Sequence, residues 1–200
     1  MTIGVVDYGV GNLFSIYNAL ERIGAGPKIA NEPEELASFD GIVVPGVGSF
    51  GRCMRQLSRF EPALREALEE GRPILGICVG MQVLFERSEE SPEEGLGWID
   101  GEVVRLPASV LVPQMGWNTL SIKREVEILD GISDDDFFYF VHSYHCLPRD
   151  GRVVAATCDY GQKIAAAISV ESLFAVQFHP EKSGEKGLSI LRNFGRLARC

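Results

Sequence analysis

Residues 73–80 read Pro-Ile-Leu-Gly-Ile-Cys-Val-Gly, so a short apolar run leads into a cysteine that has a glycine two residues away on each side. The run 73–77 has the length and composition of a buried strand, and residues 79–87 are expected to form a helix. A strand, a tight turn and a helix in this order are typical of a nucleophile elbow. The stretch predicts an α/β fold that carries a candidate nucleophile, Cys78, at the carboxyl edge of its sheet.

Two physical features favour this interpretation of Cys78. A turn tight enough to strain the central residue requires small neighbours, which explains Gly76 and Gly80. The start of the following helix brings the positive end of its dipole close to the sulfur, and this favours the reactive thiolate. The alternative is a small buried cysteine at a tight turn.

The first half of the chain alternates strand-like and helix-like segments. Strands are expected at residues 3–6, 28–31 and 41–44, and helices at 12–23 and 52–70. Such alternation predicts right-handed crossovers and an open, mostly parallel sheet that is flanked by helices, as in flavodoxin-like folds.

The second half is strand-rich and ends in a helix. Strands are expected at residues 102–106, 117–122, 137–141, 153–157, 164–169 and 173–178, and the helix at 187–198. Short turns between several of these strands predict antiparallel hairpins. No repeat or linker divides the 200 residues, so a single domain over residues 1–200 is expected.

A nucleophilic thiol needs a base, and His179 is the best placed of the three histidines. It alone has a carboxylate two residues later, in the sequence Phe-His-Pro-Glu at 178–181. Residues i and i+2 of an extended backbone point the same way, and Pro180 is expected to keep His179 extended. Glu181 could then orient the imidazole toward the sulfur. The alternative is a surface histidine beside a solvated carboxylate.

Attack on a carbonyl group also needs backbone N–H donors for the oxyanion. Val79 supplies one donor, because it directly follows the nucleophile. The glycine-rich segment Pro-Gly-Val-Gly at 45–48, which follows a buried strand, is expected to supply the other from Gly46, Val47 or Gly48. No Gly-Lys-Ser/Thr follows, so a phosphate-binding P-loop is excluded. The alternative is a simple turn before a helix.

Composition excludes several classes of function. The net charge is −9 and no run of lysine or arginine occurs, so nucleic acid is not an expected partner. No apolar run could span a membrane, and the N-terminus lacks the features of a signal peptide, so a cytoplasmic protein is expected. Cys53, Cys78, Cys146, Cys158 and Cys200 form no Cys-x-x-Cys pair, so free thiols are expected, with no metal or cofactor.

Taken together, these motifs resemble those of the class I glutamine amidotransferases. The elbow, the His-Pro-Glu and the Pro-Gly-Val-Gly loop are shared across that family. Two further stretches, Pro-Gln-Met-Gly-Trp-Asn at 113–118 and Tyr-Phe-Val-His-Ser-Tyr at 139–144, are similar to the glutaminase subunits of imidazole glycerol phosphate synthases. The resemblance covers nearly the whole chain.

The resemblance implies that L-glutamine is hydrolysed to glutamate and ammonia in a heterodimer, without a cofactor. The ammonia would travel through a channel to a (β/α)8 cyclase subunit of histidine biosynthesis. Four positions match residues that contact the substrate: Gln82, Glu90, Ser143 and Tyr144. Five match residues that face the partner: Asn12, Met115, Trp117, Asn118 and Lys182. Val47 matches an oxyanion donor that turns inward when the partner is loaded.

Three positions depart from the family pattern, namely Gln114, His145 and Val79, where histidine, tyrosine and leucine are usual. The first two concern the partner face or the pocket rim, so they leave the triad unaffected. Other functions stay open at this point. They are a glutaminase of pyridoxal phosphate or purine synthesis, a peptidase or deglycase with a cysteine elbow, and a non-catalytic regulatory module with the same fold.

Overall fold

A computed structural model describes residues 1–199, and Cys200 lies outside the described residues. The strands are β1 (Ile3–Val6), β2 (Pro27–Ala30), β3 (Gly41–Gly46), β4 (Ile74–Cys78), β5 (Phe85–Ser88), β6 (Ser91–Glu94), β7 (Ile99–Arg105), β8 (Gln114–Thr119), β9 (Ser121–Ile122), β10 (Phe137–His142), β11 (Tyr144–Pro148), β12 (Val154–Asp159), β13 (Lys163–Val170) and β14 (Leu173–Val176). The α-helices are α1 (Leu13–Arg22), α2 (Phe50–Leu57), α3 (Glu61–Glu69), α4 (Val79–Gln82) and α5 (Gly184–Leu197).

Eight strands form the central sheet, in the order β2-β1-β3-β4-β14-β13-β12-β9. The first five are parallel to one another, and β13, β12 and β9 continue the sheet in antiparallel fashion. This confirms the α/β class and the mostly parallel sheet. The hairpins predicted for the second half are also present, as β12–β13 and β13–β14.

Helices cover both faces of this sheet. A side chain at Gly41 of β3 would meet Phe194 and Ala198 in and after α5, whereas one at Gly46 would meet Val79 of α4. Residues five apart on a strand point to opposite faces, so α5 and α4 lie on opposite sides. Among residues 1–199, no helix is both long and apolar enough to cross a bilayer.

Two smaller β units sit beside the central sheet. One is a four-stranded sheet in the order β11-β7-β5-β6, and the other is a two-stranded antiparallel ribbon of β8 and β10. The short strands β6 and β11 were not expected from the sequence. The ribbon and β11 matter for function, because they contribute one wall of the pocket described below.

The single helix expected at residues 52–70 is wrong, because the structure contains two. Helix α2 ends at Leu57, a 3₁₀ turn covers Ser58–Phe60, and α3 begins at Glu61. Pro62 lies in the first turn of α3. Proline lacks the N–H that a continuous helix would need there and its ring clashes with the preceding turn, but it is well tolerated at a helix start.

The helix expected at residues 79–87 is also too long, because α4 ends at Gln82 and β5 begins at Phe85. All seven residues from Val79 to Phe85 are buried. Burial on every side removes the amphipathic period that distinguishes a helix from a strand in sequence. The sequence pattern therefore does not mark the point where α4 ends.

Glycines allow α4 to lie directly on β3 and β4. A Cβ atom added to Gly80 would lie 2.0 Å from the carbonyl oxygen of Val44, and one added to Gly76 would lie 2.5 Å from the carbonyl oxygen of Gly80. One added to Gly46 would lie 2.4 Å from the backbone nitrogen of Gly80. Because all three obstacles are backbone atoms, they cannot rotate aside as a flexible side chain could.

We expect Gly80→Ala to lower the free energy of unfolding by about 1–3 kcal/mol, because the added methyl must push α4 away from β3. Urea denaturation measures this difference. Gly151→Ala is the matched control, since a Cβ there meets no atom within 4 Å, and it should change stability by less than about 0.5 kcal/mol. Equal stability of the two variants would contradict the packing constraint.

Candidate active site

Cys78 is the last residue of β4, and its backbone lies at φ 57° and ψ −111°. A non-glycine residue in such a conformation costs on the order of 1–3 kcal/mol and persists only where its surroundings enforce it. Here the glycine contacts between α4 and the two strands enforce it. The resulting elbow turns the buried sulfur to the carboxyl edge of the sheet, as the sequence predicted.

His179 and Glu181 lie just beyond the end of β14, the strand next to β4. The Nδ1 atom of His179 is 2.8 Å from Oε1 of Glu181, and both side chains are almost fully buried. A carboxylate only accepts hydrogen bonds, so Nδ1 carries the proton and Nε2 is left for chemistry. Nε2 is buried and has no partner of ordinary hydrogen-bond geometry.

The backbone route from His179 to Glu181 differs from the extended segment that we expected. His179 itself is extended, but Pro180–Lys182 forms a 3₁₀ turn. Pro180 is well suited to this conformation, because its fixed φ matches the first position of a helical turn. Glu181 therefore reaches the imidazole across a turn and not along a strand.

Ser183 fixes the position of this turn. Its hydroxyl donates to the carbonyl oxygen of His179 over 2.6 Å and accepts from the N–H of Tyr139 over 3.0 Å. The N–H of His179 in turn donates to the carbonyl oxygen of Tyr139 over 2.9 Å. The histidine is thus tied to β10 of the ribbon at two points.

The protonation of His179 is set by competing effects. Burial acts to lower its pKa, but interactions with Cys78 and Glu181 outweigh burial and raise that pKa to about 9. His179 therefore holds its proton at neutral pH and loses it only as the pH rises through about 9. The contacts with the sulfur and with Glu181 thus keep a proton on the imidazole at neutral pH.

Two further groups contact the sulfur of Cys78. The Nε2 atom of Gln177 lies 3.7 Å from Sγ, and the carbonyl oxygen of Val141 lies 3.8 Å from it. Neither residue was assigned a role from the sequence. Gln177 lies directly after β14 and two residues before His179, and no motif in the sequence marked it.

The predicted oxyanion loop lies beside the nucleophile. Gly46, the last residue of β3, is in register with Cys78 across the parallel pair. Gly48 has φ +92°, which only glycine adopts freely. Behind the loop, the Tyr8 hydroxyl donates to the Pro45 carbonyl, and Cys53 Sγ lies 3.7 Å from the Val47 carbonyl oxygen. These buried contacts hold the loop against the elbow.

Most of the predicted catalytic and substrate residues line one pocket of about 400 Å³. Its predicted members are Val47, Gly48, Cys78, Val79, Gln82, Glu90, Ser143, Tyr144, His179 and Lys182. Its unpredicted members are Pro113, Val141 and His142. Within residues 1–199 no cluster of histidine, cysteine and carboxylate side chains could hold a metal ion.

Two of the expected substrate residues are already engaged in the protein. Gln82 is buried, and its Nε2 donates to the Tyr144 carbonyl oxygen over 3.0 Å. An oxygen of Glu90, Oε2, accepts from the N–H of Phe50 over 2.7 Å, at the start of α2. Glu90 therefore links the pocket to the helix that follows the oxyanion loop.

His142 lines the pocket, although no motif in the sequence selected it. Burial lowers its pKa to about 4, so the ring is neutral at neutral pH. Its Nδ1 lies 2.9 Å from the Tyr144 carbonyl oxygen, which can only accept, so Nδ1 carries the proton. His145 is also buried, which lowers its pKa, and it lies outside the pocket lining.

Four of the five residues expected to face a partner lie in the pocket lining, as Lys182 does, or on the neighbouring ribbon, as Met115, Trp117 and Asn118 do. Met115 and Trp117 of β8 have exposed fractions of 65% and 56%, which is unusual for large apolar side chains. Trp117 packs edge-on against Tyr139, and the Lys182 ammonium lies 5.9 Å from the centre of the same ring. Asn118 donates to the Asp159 carbonyl oxygen over 2.8 Å. Asn12 precedes α1.

Comparisons with known proteins converge on one family. The family model for glutamine amidotransferase class-I matches residues 4–197. A protein of Methanothermobacter thermautotrophicus named imidazole glycerol phosphate synthase subunit HisH is 48% identical, and the match covers 99% of this chain and 100% of that protein. A protein of the same name from Synechococcus sp. is 50% identical, with 99% and 94% covered.

The fold has solved counterparts as well. The structure titled "Structure of PurLQS from Thermotoga maritima" matches with a TM-score of 0.78 at 20% sequence identity, covering 96% of each chain. At this identity the likeness concerns the fold alone.

Titration of the histidines by NMR with ¹⁵N-labelled imidazoles should resolve three separate transitions. We expect His142 to titrate near pH 4 and His179 near pH 9, with His145 below the usual range. Cys78→Ala should move the His179 transition downward, because burial then acts without the attraction to the sulfur. Titration of His179 near pH 6.5 in the unmodified protein would contradict the raised pKa and its attribution to Cys78 and Glu181.

Proposed function

Because the chain belongs to the class I glutamine amidotransferase family, we propose that it is the glutaminase subunit of an imidazole glycerol phosphate synthase. Relatives that carry this subunit name match it at 48% and 50% identity over almost its whole length. The observation that carries the assignment is the pocket shared by Cys78 and His179, with Glu181 hydrogen-bonded behind the imidazole. We also propose that residues 1–200 form one domain.

In the first half of the reaction, the thiolate of Cys78 attacks the Cδ atom of glutamine and forms a carbon–sulfur bond. The electron pair of the carbonyl moves onto oxygen and then returns as the carbon–nitrogen bond breaks. His179 gives its proton to the departing nitrogen, so ammonia leaves as a neutral molecule. Glu181 keeps the imidazole in the required tautomer and stabilises its protonated form.

In the second half, water hydrolyses the γ-glutamyl thioester. The now neutral Nε2 of His179 removes a proton from water, which attacks the thioester carbonyl. The carbon–sulfur bond breaks, glutamate leaves, and the thiolate and imidazolium are regenerated. The buried Nε2, which has no protein partner of ordinary geometry, is the group available for both transfers.

Backbone amides stabilise the two tetrahedral oxyanions. The N–H of Val79 is one donor, and the segment Gly46, Val47 and Gly48 supplies the other. A single such donor is typically worth about 3 kcal/mol of transition-state stabilisation. The close packing of Gly46 on the elbow supports this role, since it keeps the loop within reach of the carbon that Cys78 attacks.

Gln82, Glu90, Ser143 and Tyr144 bind the amino-acid end of glutamine at the side of the pocket formed by α4 and β11. The Glu90 carboxylate suits the positive α-ammonium group of the substrate. Gln82 donates through Nε2 to protein acceptors, which leaves Oε1 as a second acceptor. The hydroxyl groups of Ser143 and Tyr144, together with backbone N–H groups of the pocket, supply donors for the α-carboxylate of the substrate.

The partner is a (β/α)8 cyclase subunit, and together they form a heterodimer. The subunit name of the relatives implies a further subunit, and the exposed Met115 and Trp117 beside the pocket supply an apolar docking face. Lys182 lies beside this face through its contact with the Tyr139 ring, and Asn12 and Asn118 are the further positions that the family resemblance assigns to the partner. Ammonia released to neutral water would be protonated and lose its nucleophilicity, so delivery through a water-excluding channel is required.

Removal of the nucleophile tests the chemistry. We expect Cys78→Ala to lower glutaminase kcat by at least about 10³-fold, because no other group can form the thioester. Glutamate release from the assembled complex measures this. Cys158→Ala, which removes a buried thiol from β12 outside the pocket, should retain near-normal turnover. Normal turnover by Cys78→Ala would refute the mechanism.

Mixing the chain with a candidate cyclase and its phosphorylated substrate tests the partner. We expect glutamate release to rise and the amide nitrogen of glutamine to be incorporated into the cyclase product. The same mixture made with Trp117→Ala and Met115→Ala should form less complex, because the apolar docking face is lost. Stimulation by a pyridoxal phosphate or purine synthase, and none by the cyclase, would overturn the pathway assignment.

A further inference from the structure

Gln177 is a fully buried side chain in contact with the candidate nucleophile. Its Nε2 atom lies 3.7 Å from the sulfur of Cys78, and its side chain has no exposed surface. It is not part of the pocket lining, so it approaches the sulfur from the protein side. A polar group in such a place must be hydrogen-bonded to be tolerated, and its partners can be followed from atom to atom.

The effect of Gln177 on the sulfur depends on whether the oxygen or the NH₂ group of its amide faces Cys78. The starting point is the backbone carbonyl of Tyr144, which can only accept a hydrogen bond. The end of the Gln82 amide that lies 3.0 Å from this carbonyl must therefore be its NH₂ group. The Tyr144 carbonyl alone thus determines the orientation of the Gln82 amide, independently of Gln177.

The same NH₂ group of Gln82 also lies 3.1 Å from the Gln177 amide. A donor requires an acceptor, so the Gln177 atom that faces it must be the carbonyl oxygen Oε1. The other end of the Gln177 amide, which faces Cys78, must then be its NH₂ group. The Tyr144 carbonyl thus fixes the direction of every hydrogen bond between itself and the sulfur.

We infer that Gln177 is a catalytic residue, whose side-chain N–H donates to the Cys78 sulfur and stabilises its anionic form. The inference rests on the proposed function in that Cys78 is taken as the nucleophile. A hydrogen bond to the charged form of a group favours that form. A donor held by a buried relay also costs no reorganisation when charge returns to the sulfur.

The second neighbour of the sulfur acts in the opposite sense. The Val141 carbonyl oxygen, 3.8 Å away, accepts a hydrogen bond only from a protonated thiol. With Gln177 replaced by a side chain without a donor, the Val141 carbonyl would remain and would favour the thiol. This fixes the sign of the expected effect: reactivity of the sulfur shifts to higher pH.

The stabilised thiolate is needed twice in each turnover. It is the attacking group in thioester formation and the leaving group in thioester hydrolysis. Gln177 does not touch the space that glutamine occupies. Loss of its donor should therefore lower kcat and leave KM close to its original value, which separates it from Gln82 and other pocket residues.

The first experiment uses Gln177→Met, which keeps the volume and removes both the donor to the sulfur and the acceptor for Gln82, whose NH₂ group retains the Tyr144 carbonyl as a partner. We expect iodoacetamide to alkylate Cys78 about 3- to 10-fold more slowly at pH 7, with the midpoint of the pH–rate profile moved upward. Gln162→Met, which changes a glutamine that contacts His145 at the β12–β13 turn, is the matched control and should leave the profile unchanged. An unshifted profile in folded Gln177→Met would overturn the inference.

A second experiment does not depend on the folding of a Gln177 variant. The chain has five glutamines, so ¹⁵N labelling of their side chains gives five NH₂ pairs. In the unmodified protein, the Gln177 pair should move over the same pH range in which Cys78 becomes reactive, and alkylation of Cys78 should abolish that movement. A Gln177 pair that does not respond to the state of the sulfur would refute the hydrogen bond.

These readouts separate the inference from the proposed function. Alkylation and NMR report on the sulfur whether or not glutamine is turned over. Absence of glutaminase activity in the unmodified complex, together with a shifted alkylation profile in Gln177→Met, would reject the function and keep the hydrogen bond. Normal glutaminase activity together with an unshifted profile would keep the function and reject the role of Gln177.

Discussion

The close approach of α4 to β3 and β4 is the constraint on which the site depends. Because Gly80 has no side chain, α4 can pack directly against the carbonyl oxygen of Val44. This close packing requires a sharp turn between β4 and α4, which is made at a single residue. That residue is Cys78, and the packing holds its backbone at a positive φ that non-glycine residues rarely adopt. The strands β3 and β14 both pair in parallel with β4, so their carboxyl ends lie at the same edge of the sheet as Cys78. Nucleophile, oxyanion loop and base therefore converge from three neighbouring strands.

Much of this arrangement can be predicted from the sequence because the determining signals are local. A cysteine between glycines after an apolar run specifies the elbow, and a histidine with a nearby carboxylate after a later run specifies the base. Both conclusions need only the rule that the carboxyl ends of parallel strands share an edge. Alternation of strands and helices predicts the sheet for the same reason, since each crossover is short and has a fixed hand.

Other features could not be predicted because they depend on tertiary burial. The segment from Val79 to Phe85 is buried on every side, so no exposed polar face marks where its helical turn ends. Pro180 is compatible with both an extended segment and a 3₁₀ turn, and packing of Ser183 against β10 selects the turn. In the sequence Gln177 resembles any strand residue. Its orientation depends on a hydrogen bond from Gln82, which lies 95 positions away in the chain.

The burial of all three imidazoles has a consequence for the behaviour of the whole molecule in solution. Burial lowers the pKa of His142 and His145, whereas contacts with Cys78 and Glu181 raise the pKa of His179 against the effect of burial, so none of the three imidazoles changes charge near neutral pH. No histidine titrates on the surface that residues 1–199 present to solvent. Electrophoretic mobility and mutual repulsion between molecules should therefore hold nearly steady between about pH 6 and 8, the interval in which most proteins gain or lose charge.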